Sequence, residues 1–212
     1  MEIPKPLHDT ENSMQRVEAF SDGVFAIAIT LLVIEIKVPS HSELEHASLT
    51  QLLFRNWPKY AAFIFSFFTI GIFWANHHHW LKLFRKSDHV FILLNVFFLM
   101  CISFLPFPTA VLGDYITDPA QKQTAVTFYT IGIFLPAIGW LLLWLYASHK
   151  NRLLNERLSP EYVRYLSRLY YISNCAYLGA IIISLFNPNA AIIVTIILAF
   201  LYLFPPKKPK YV

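Results

Sequence analysis

Arg16-Val17-Glu18-Ala19-Phe20-Ser21-Asp22-Gly23 runs without a break into the apolar stretch from Val24 to Ile36. This places an acid inside a helix of membrane-spanning composition, where an unpaired charge costs on the order of 2 to 3 kcal/mol or more. Asp22 therefore needs a partner, and the rest of the chain must supply it.

The 212 residues are 56% hydrophobic and 14% charged, and the mean hydropathy is +0.49. A soluble surface does not have that balance, so the chain reads as an all-α integral membrane protein. No cleavable leader is expected: the first 14 residues are polar, and the first apolar run is too long for a signal core and lacks a small-residue cleavage site. Cys101 and Cys175 both lie in apolar runs and read as small buried thiols rather than redox or metal groups. A formal charge of +4 is too small to point to nucleic acid.

Because about 20 apolar residues cross the hydrocarbon core, the pattern predicts six transmembrane helices: 16–38, 57–79, 88–113, 122–147, 164–186 and a short last one, 189–204. The chain then divides into an N-terminal segment 1–15, a six-helix domain 16–204 and a basic tail 205–212. Turn and breaker residues fall where spans should end: Pro39-Ser40, Asp114 to Pro119, Asn187-Pro188-Asn189 and Pro205-Pro206. Pro106, Pro108 and Pro136 are expected to bend the third and fourth helices. With the N-terminus cytoplasmic, thirteen Lys and Arg fall inside, and only Lys37, Arg55, Lys59 and Lys122 fall outside. That asymmetry sets the orientation. An even number of spans then returns the Lys207-Lys208-Pro209-Lys210 tail to the cytoplasm. Trp57, Tyr60, Trp80, Trp140, Trp144, Tyr146, Tyr170 and Tyr171 cluster near span ends and read mostly as interfacial anchors.

At about 100° per residue, Phe20, Gly23, Ile27, Thr30 or Leu31, and Ile34 share one face of the first helix, an apolar face with one hydroxyl. Asp22 is offset from Ile27 by about 140° and should point toward neighbouring helices. The second helix ends in Trp74-Ala75-Asn76-His77-His78-His79-Trp80 at the same depth, so a histidine can meet the acid. Arg16 is the other candidate. The plainer alternative makes Asp22 a helix N-terminal charge in the headgroup region. Adjacent helical residues diverge by about 100°, so His77, His78 and His79 cannot converge on one metal ion; their protonation near neutral pH is the more natural role. Glu35, Glu43 and Glu45 would form either a negative vestibule or a solvated loop. Arg164 and Arg168, at i and i+4, are placed to meet anionic headgroups. No Gly-rich phosphate loop, nucleophile elbow or paired Ser and His is present, so the reading is not an enzyme and calls for no cofactor.

Arg16-x-x-x-Phe20-Ser21-Asp22 at the head of the first of six helices resembles the signature of the transmembrane protein 175 family of potassium channels, in its prokaryotic single-repeat form. The histidines after the second helix and the chain length agree with it. The resemblance implies a homotetramer whose four first helices line a central pore, since eukaryotic relatives carry two such repeats and pair as dimers. It implies a hydrophobic constriction at Ile27, with Leu31 and Ile34 one and two turns further out, and a hydroxyl layer at Thr30. Arg16, Phe20, Ser21 and Asp22 would fix the helix, with His77 as their partner among the three histidines. The expected function is a potassium-permeable cation channel, gated by dewetting of its aliphatic ring and moderately selective against sodium, since no Thr-Val-Gly-Tyr-Gly filter loop is present. The family also includes members that pass protons, and the alternative is a proton-coupled or proton-conducting transporter using Asp22 and the histidine cluster. The implied setting is the cell membrane of a prokaryote, multi-pass, with both termini cytoplasmic and membrane lipids and its own copies as partners.

Overall fold

The computed structural model describes residues 8–203 and residue 209. The first seven residues and the tail lysines Lys207, Lys208 and Lys210 lie outside the described residues. The fold is all-helical: α1 (His8–Leu31), α2 (His41–Leu44), α3 (Leu49–Arg55), α4 (Trp57–Leu81), α5 (His89–Phe104), α6 (Pro106–Tyr115), α7 (Lys122–Ser148), α8 (Pro160–Ser184) and α9 (Pro188–Leu201). A 3₁₀ turn, Leu32–Glu35, extends α1.

Sequence signals account for most of the helix starts. Asp88 caps α5 by accepting from the Phe91 N–H at 2.9 Å. Ser159 and Asn187 cap α8 and α9 in the same way. Pro160 and Pro188 follow them at the first helical position, where a missing N–H leaves nothing unpaired. Pro106 does more than bend the third span: α5 stops at Phe104, and Pro106 begins a new helix in line with it. Pro136, by contrast, sits inside an uninterrupted α7.

Five segments are long and apolar enough to cross a membrane: Ser13–Glu35, Trp57–Leu81, His89–Tyr115, Lys122–Asn151 and Pro160–Ser184. The sixth expected span is α9, with 14 residues. At 1.5 Å per residue it covers about 21 Å, short of the roughly 30 Å hydrocarbon core. The first helix also departs from expectation by starting at His8, eight residues before Arg16. Asp22 therefore lies four turns into a continuous helix, which removes its reading as an N-terminal helix charge.

The centre of the bundle is α7, which packs against α5, α6, α8 and α9. Two glycines allow the close approach. A Cβ on Gly132 would lie 2.7 Å from Pro108 Cγ, and one on Gly139 would lie 3.2 Å from Phe98 Cα. Between α4, α6 and α7 a buried hydroxyl group closes on itself, with Ser66 Oγ 2.9 Å from the Tyr129 hydroxyl and 2.8 Å from Thr109 Oγ1.

The aromatic residues correct the interfacial reading. Trp80, Trp140, Trp144 and Tyr170 are buried, and they form one cluster in which the Trp80 and Trp140 rings are 5.1 Å apart and those of Trp144 and Tyr170 are 5.4 Å apart. Trp57 and Tyr171 remain exposed. Cys101 is buried as expected, whereas Cys175 faces outward. Beyond α4 and α7, the following loops pair through an antiparallel bridge between Phe84 and Leu154. An ion pair between Arg85 and Glu156 reinforces it. At the other end of α4, Lys59 meets Asp114 at 2.7 Å.

Candidate functional site

The geometry of α1 follows from its sequence period. Positions 17, 21, 25, 28 and 32 are buried against the bundle. Phe20, Ile27, Leu31 and Ile34 stand 56, 62, 40 and 69% exposed on the opposite side. Gly23 lies on that side with nothing within 4 Å of the position a Cβ would take. Thr30 is there too, its hydroxyl donating to the Ala26 and Ile27 carbonyls at 2.9 Å. With the proton held by the backbone, the hydroxyl oxygen is left to act as an acceptor.

Three polar ties join the N-terminal half of α1 to its neighbours. The first is a directed chain. Ser21 donates to the Val17 carbonyl at 2.7 Å, and the Asn95 amide N–H donates to Ser21 Oγ at 3.0 Å. Asn95 Oδ1, an acceptor only, lies 3.1 Å from His77 Nε2, so that nitrogen carries the hydrogen. Ser21, Asn95 and His77 are all buried. The His77 ring stacks on Phe98 at 5.3 Å and lies 5.6 Å from Phe25, so packing fixes its orientation as well.

The second tie holds Asp22, and it differs from the expected pairing with a histidine or Arg16. Asp22 Oδ1 accepts from the Trp74 indole N–H at 2.9 Å. His77 is instead engaged by Asn95, and Arg16 lies exposed on the outer side of the helix. The third tie is the histidine–acid pair itself, one residue along from the expected histidine: His78 Nδ1 lies 2.7 Å from Glu18 Oε1. His79 is exposed, its ring 5.6 Å from that of His78. The three consecutive histidines thus point inward, toward α1 and outward. Among the described residues no group of three or more His, Cys, Asp or Glu is placed to hold a metal ion.

Asn95, Trp74 and Glu18 were not singled out from the sequence. For Asn95 a signal existed: an amide in the middle of the apolar run His89–Phe104 must find partners inside the protein. At the far end of α1, Glu35 is exposed. Glu43 belongs to a local cap rather than a vestibule, because its carboxylate accepts from the Ser40 N–H at 2.7 Å and the Ser40 hydroxyl at 2.8 Å. Those donors hold it below the usual carboxylate pKa.

Comparison with known proteins covers these same elements. The model of the family described as endosomal/lysosomal potassium channel TMEM175 matches residues 16–106, from Arg16 to the proline that opens α6. A potassium channel of Chamaesiphon minutus is 42% identical over 185 residues, 87% of this chain and 90% of the relative. A potassium channel of Streptomyces collinus is 37% identical over 72% of this chain and 73% of its own. The crystal structure of a lysosomal potassium-selective channel TMEM175 homolog from Chamaesiphon minutus superposes with a TM-score of 0.81 at 37% identity, covering 91% of this chain and 97% of that one. With this identity across most of both chains and the same course of the backbone, the protein is a multi-pass helical membrane protein that belongs to the TMEM175 family.

Proposed function

We propose that this protein is a potassium-permeable cation channel, a homotetramer in which the α1 helices of four copies line a central pore. Each subunit crosses the cell membrane six times, α9 being the sixth crossing, and both termini are cytoplasmic. The supporting observation is the pair of faces on α1. One face is fixed to α4 and α5 through Glu18, Ser21 and Asp22. The other presents Ile27, Thr30, Leu31 and Ile34 in register along the helix, all exposed in the subunit. The names of the bacterial relatives, both potassium channels, agree with this reading.

Four Ile27 side chains at one level form an aliphatic ring, with Leu31 and Ile34 as further rings one and two turns out. A narrow apolar ring excludes water and therefore ions; a small dilation or rotation of the helices lets a hydrated column form. Thr30 places an acceptor oxygen between these rings, where it offsets part of the water lost by a passing cation. With no ring of backbone carbonyls to replace the hydration shell, preference for potassium over sodium is moderate. Ser21, Asp22 and His77 set the angle at which α1 presents this face, and Arg16 and Phe20 of the same motif lie on its exposed side. A relay of protons through Asp22 and the histidines is less well supported, because Asp22 is bound to an indole N–H, which does not exchange a proton as an imidazole does.

The test is the reversal potential of the purified protein in planar bilayers, with potassium on one side and sodium on the other. Discrete currents reversing on the potassium side are expected. An intact oligomer that passes no current, or one that reverses at zero, contradicts the proposal.

A further inference from the structure

We propose that the exposed side of α8 is a binding site for an anionic phospholipid of the inner leaflet, with Arg164 and Arg168 holding the lipid phosphate and the apolar stripe beyond them lying along an acyl chain. The channel reading above enters only through the choice of leaflet.

One face of α8 is buried through Tyr162, Leu166, Tyr170, Tyr177 and Ser184, and its neighbours in the bundle are α7 and α9. At about 100° per residue, Arg164, Arg168, Tyr171, Cys175, Leu178 and Ile182 stay within about 40° of one line on the other side. All six are exposed. The stripe is ordered along the helix: two guanidiniums one turn apart, then a phenol, then apolar side chains alone. α1 packs on α4, α5 and α6, so this stripe and the face that carries Ile27 belong to different parts of the bundle.

The depth of the arginines calls for an anion. From Arg164 to Leu185, the C-cap of α8, the helix rises about 32 Å at 1.5 Å per residue, and from Arg168 about 26 Å, against a hydrocarbon core of roughly 30 Å. With Leu185 at the opposite boundary, Arg164 reaches the headgroups and Arg168 sits just inside the hydrocarbon edge. A cation at that level extends toward the nearest phosphate, and a guanidinium meets phosphate oxygens through two parallel N–H bonds. The protein's own acids do not fill that role. Among the described residues the ion pairs are Lys59–Asp114, His78–Glu18 and Arg85–Glu156. Glu161, exposed in the first turn of α8, pairs with neither arginine. Lys150 and Arg157, exposed in the loop before α8, add positive charge at the same end, while Arg152 lies over the Tyr146 ring at 4.8 Å. That excess favours a lipid of net negative charge over a zwitterionic one, whose choline would bring a further cation. Tyr171 has the amphipathic ring suited to the interface. From Arg168 to Leu178 the rise is about 15 Å, the hydrocarbon depth of one leaflet, so a single acyl chain can follow the stripe.

The experiment titrates the full-length protein in neutral detergent with phosphatidylglycerol, with phosphatidylcholine of the same acyl chains, and with inorganic phosphate. It reads the thermal midpoint and, by native mass spectrometry, the lipid bound. Phosphatidylglycerol should raise the midpoint saturably and stay bound, and the other two should do neither. Arg164→Gln and Arg168→Gln should each raise the half-saturating phosphatidylglycerol concentration about fivefold, and together about 25-fold. Arg157→Gln should leave it unchanged. The single variants carry the test if the double one does not fold. An equal shift with phosphatidylcholine, or a loss in Arg157→Gln as large as in Arg168→Gln, means diffuse attraction to headgroups and overturns the site. An equal effect of inorganic phosphate makes this a site for the free anion and overturns the lipid. If Arg164→Gln or Arg168→Gln splits the oligomer with lipid binding unchanged, the face is a contact between copies and the proposal fails. No current is needed for any of these outcomes, so failure of the lipid site and failure of the channel reading are seen separately.

Discussion

On the bundle side of α1, Glu18, Ser21 and Asp22 each place a side-chain oxygen on α4 or α5 within five residues, and beyond them Phe25, Ala28 and Leu32 are held by packing alone. On the other side, Phe20, Ile27, Leu31 and Ile34 follow the same helical period with no polar bond and little cover. One helix thus carries a fixed, polar, short-range attachment in its N-terminal half and an exposed apolar face along its length. The difference teaches where this protein tolerates movement. Directional hydrogen bonds fix the rotation of the N-terminal half of α1, while the apolar packing beyond them has no directional preference and lets the helix shift by small amounts.

The strongest way to break this comparison is to remove the hub of the fixed side. Asn95→Leu deletes both of its hydrogen bonds and leaves the buried His77 N–H without an acceptor, which should destabilise the protein by about 2 kcal/mol. Thermal unfolding in detergent reads that loss, and an unchanged midpoint would mean that Asn95 is not a hub.

A pair of glycines sharpens the contrast at smaller cost. Gly139→Ala forces a Cβ against the Phe98 backbone and should cost about 1 to 2 kcal/mol. Gly23→Ala meets nothing in its own subunit and adds helix propensity of up to about 1 kcal/mol. Comparing the two midpoints in dissociated subunits should show opposite signs. If Gly23→Ala leaves the subunit intact but weakens the oligomer, residue 23 is where neighbouring α1 helices approach one another.

Ile27→Asn should change stability least, by within about 0.5 kcal/mol, because the side chain is exposed in the subunit. Conduction should nevertheless change clearly: wetting the ring raises single-channel conductance and lowers discrimination against sodium. An unchanged current would remove Ile27 from the gate.

The sequence carried the parts of this structure that depend on local chemistry. Asn187 and Pro188 begin α9 where breaker residues predict a boundary, α8 starts at Pro160, four residues before the expected 164, and the exposed face of α1 is the face its period defines. Glu43 lies in a Ser-x-x-Glu capping box, a local signature that outweighs the charge-based vestibule reading. What was not legible depends on pairing across the fold. Asn95 and Ser21 are 74 positions apart, and Trp74 and Asp22 are 52 apart; nothing in either local stretch names the other. Which of three adjacent histidines turns inward is decided by how α4 rolls against α1 and α5, a rotation of 100° per residue that composition does not encode. The buried tryptophans failed for a related reason. An aromatic residue near a span end looks the same whether it faces headgroups or a neighbouring helix, and the close approach of α5 and α7 at Gly139 turned Trp140 inward.

The most direct test of the central claim is thiol accessibility along α1 during conduction, in a background with Cys101 and Cys175 replaced. Single cysteines at positions 30, 31 and 34 should each let a cationic thiol reagent, applied from water, stop the potassium current, while one at Ala28, buried against the bundle, should not. If the reagent leaves the current untouched at all three exposed positions, that face of α1 looks at lipid rather than at an ion path, and the account of the pore is wrong.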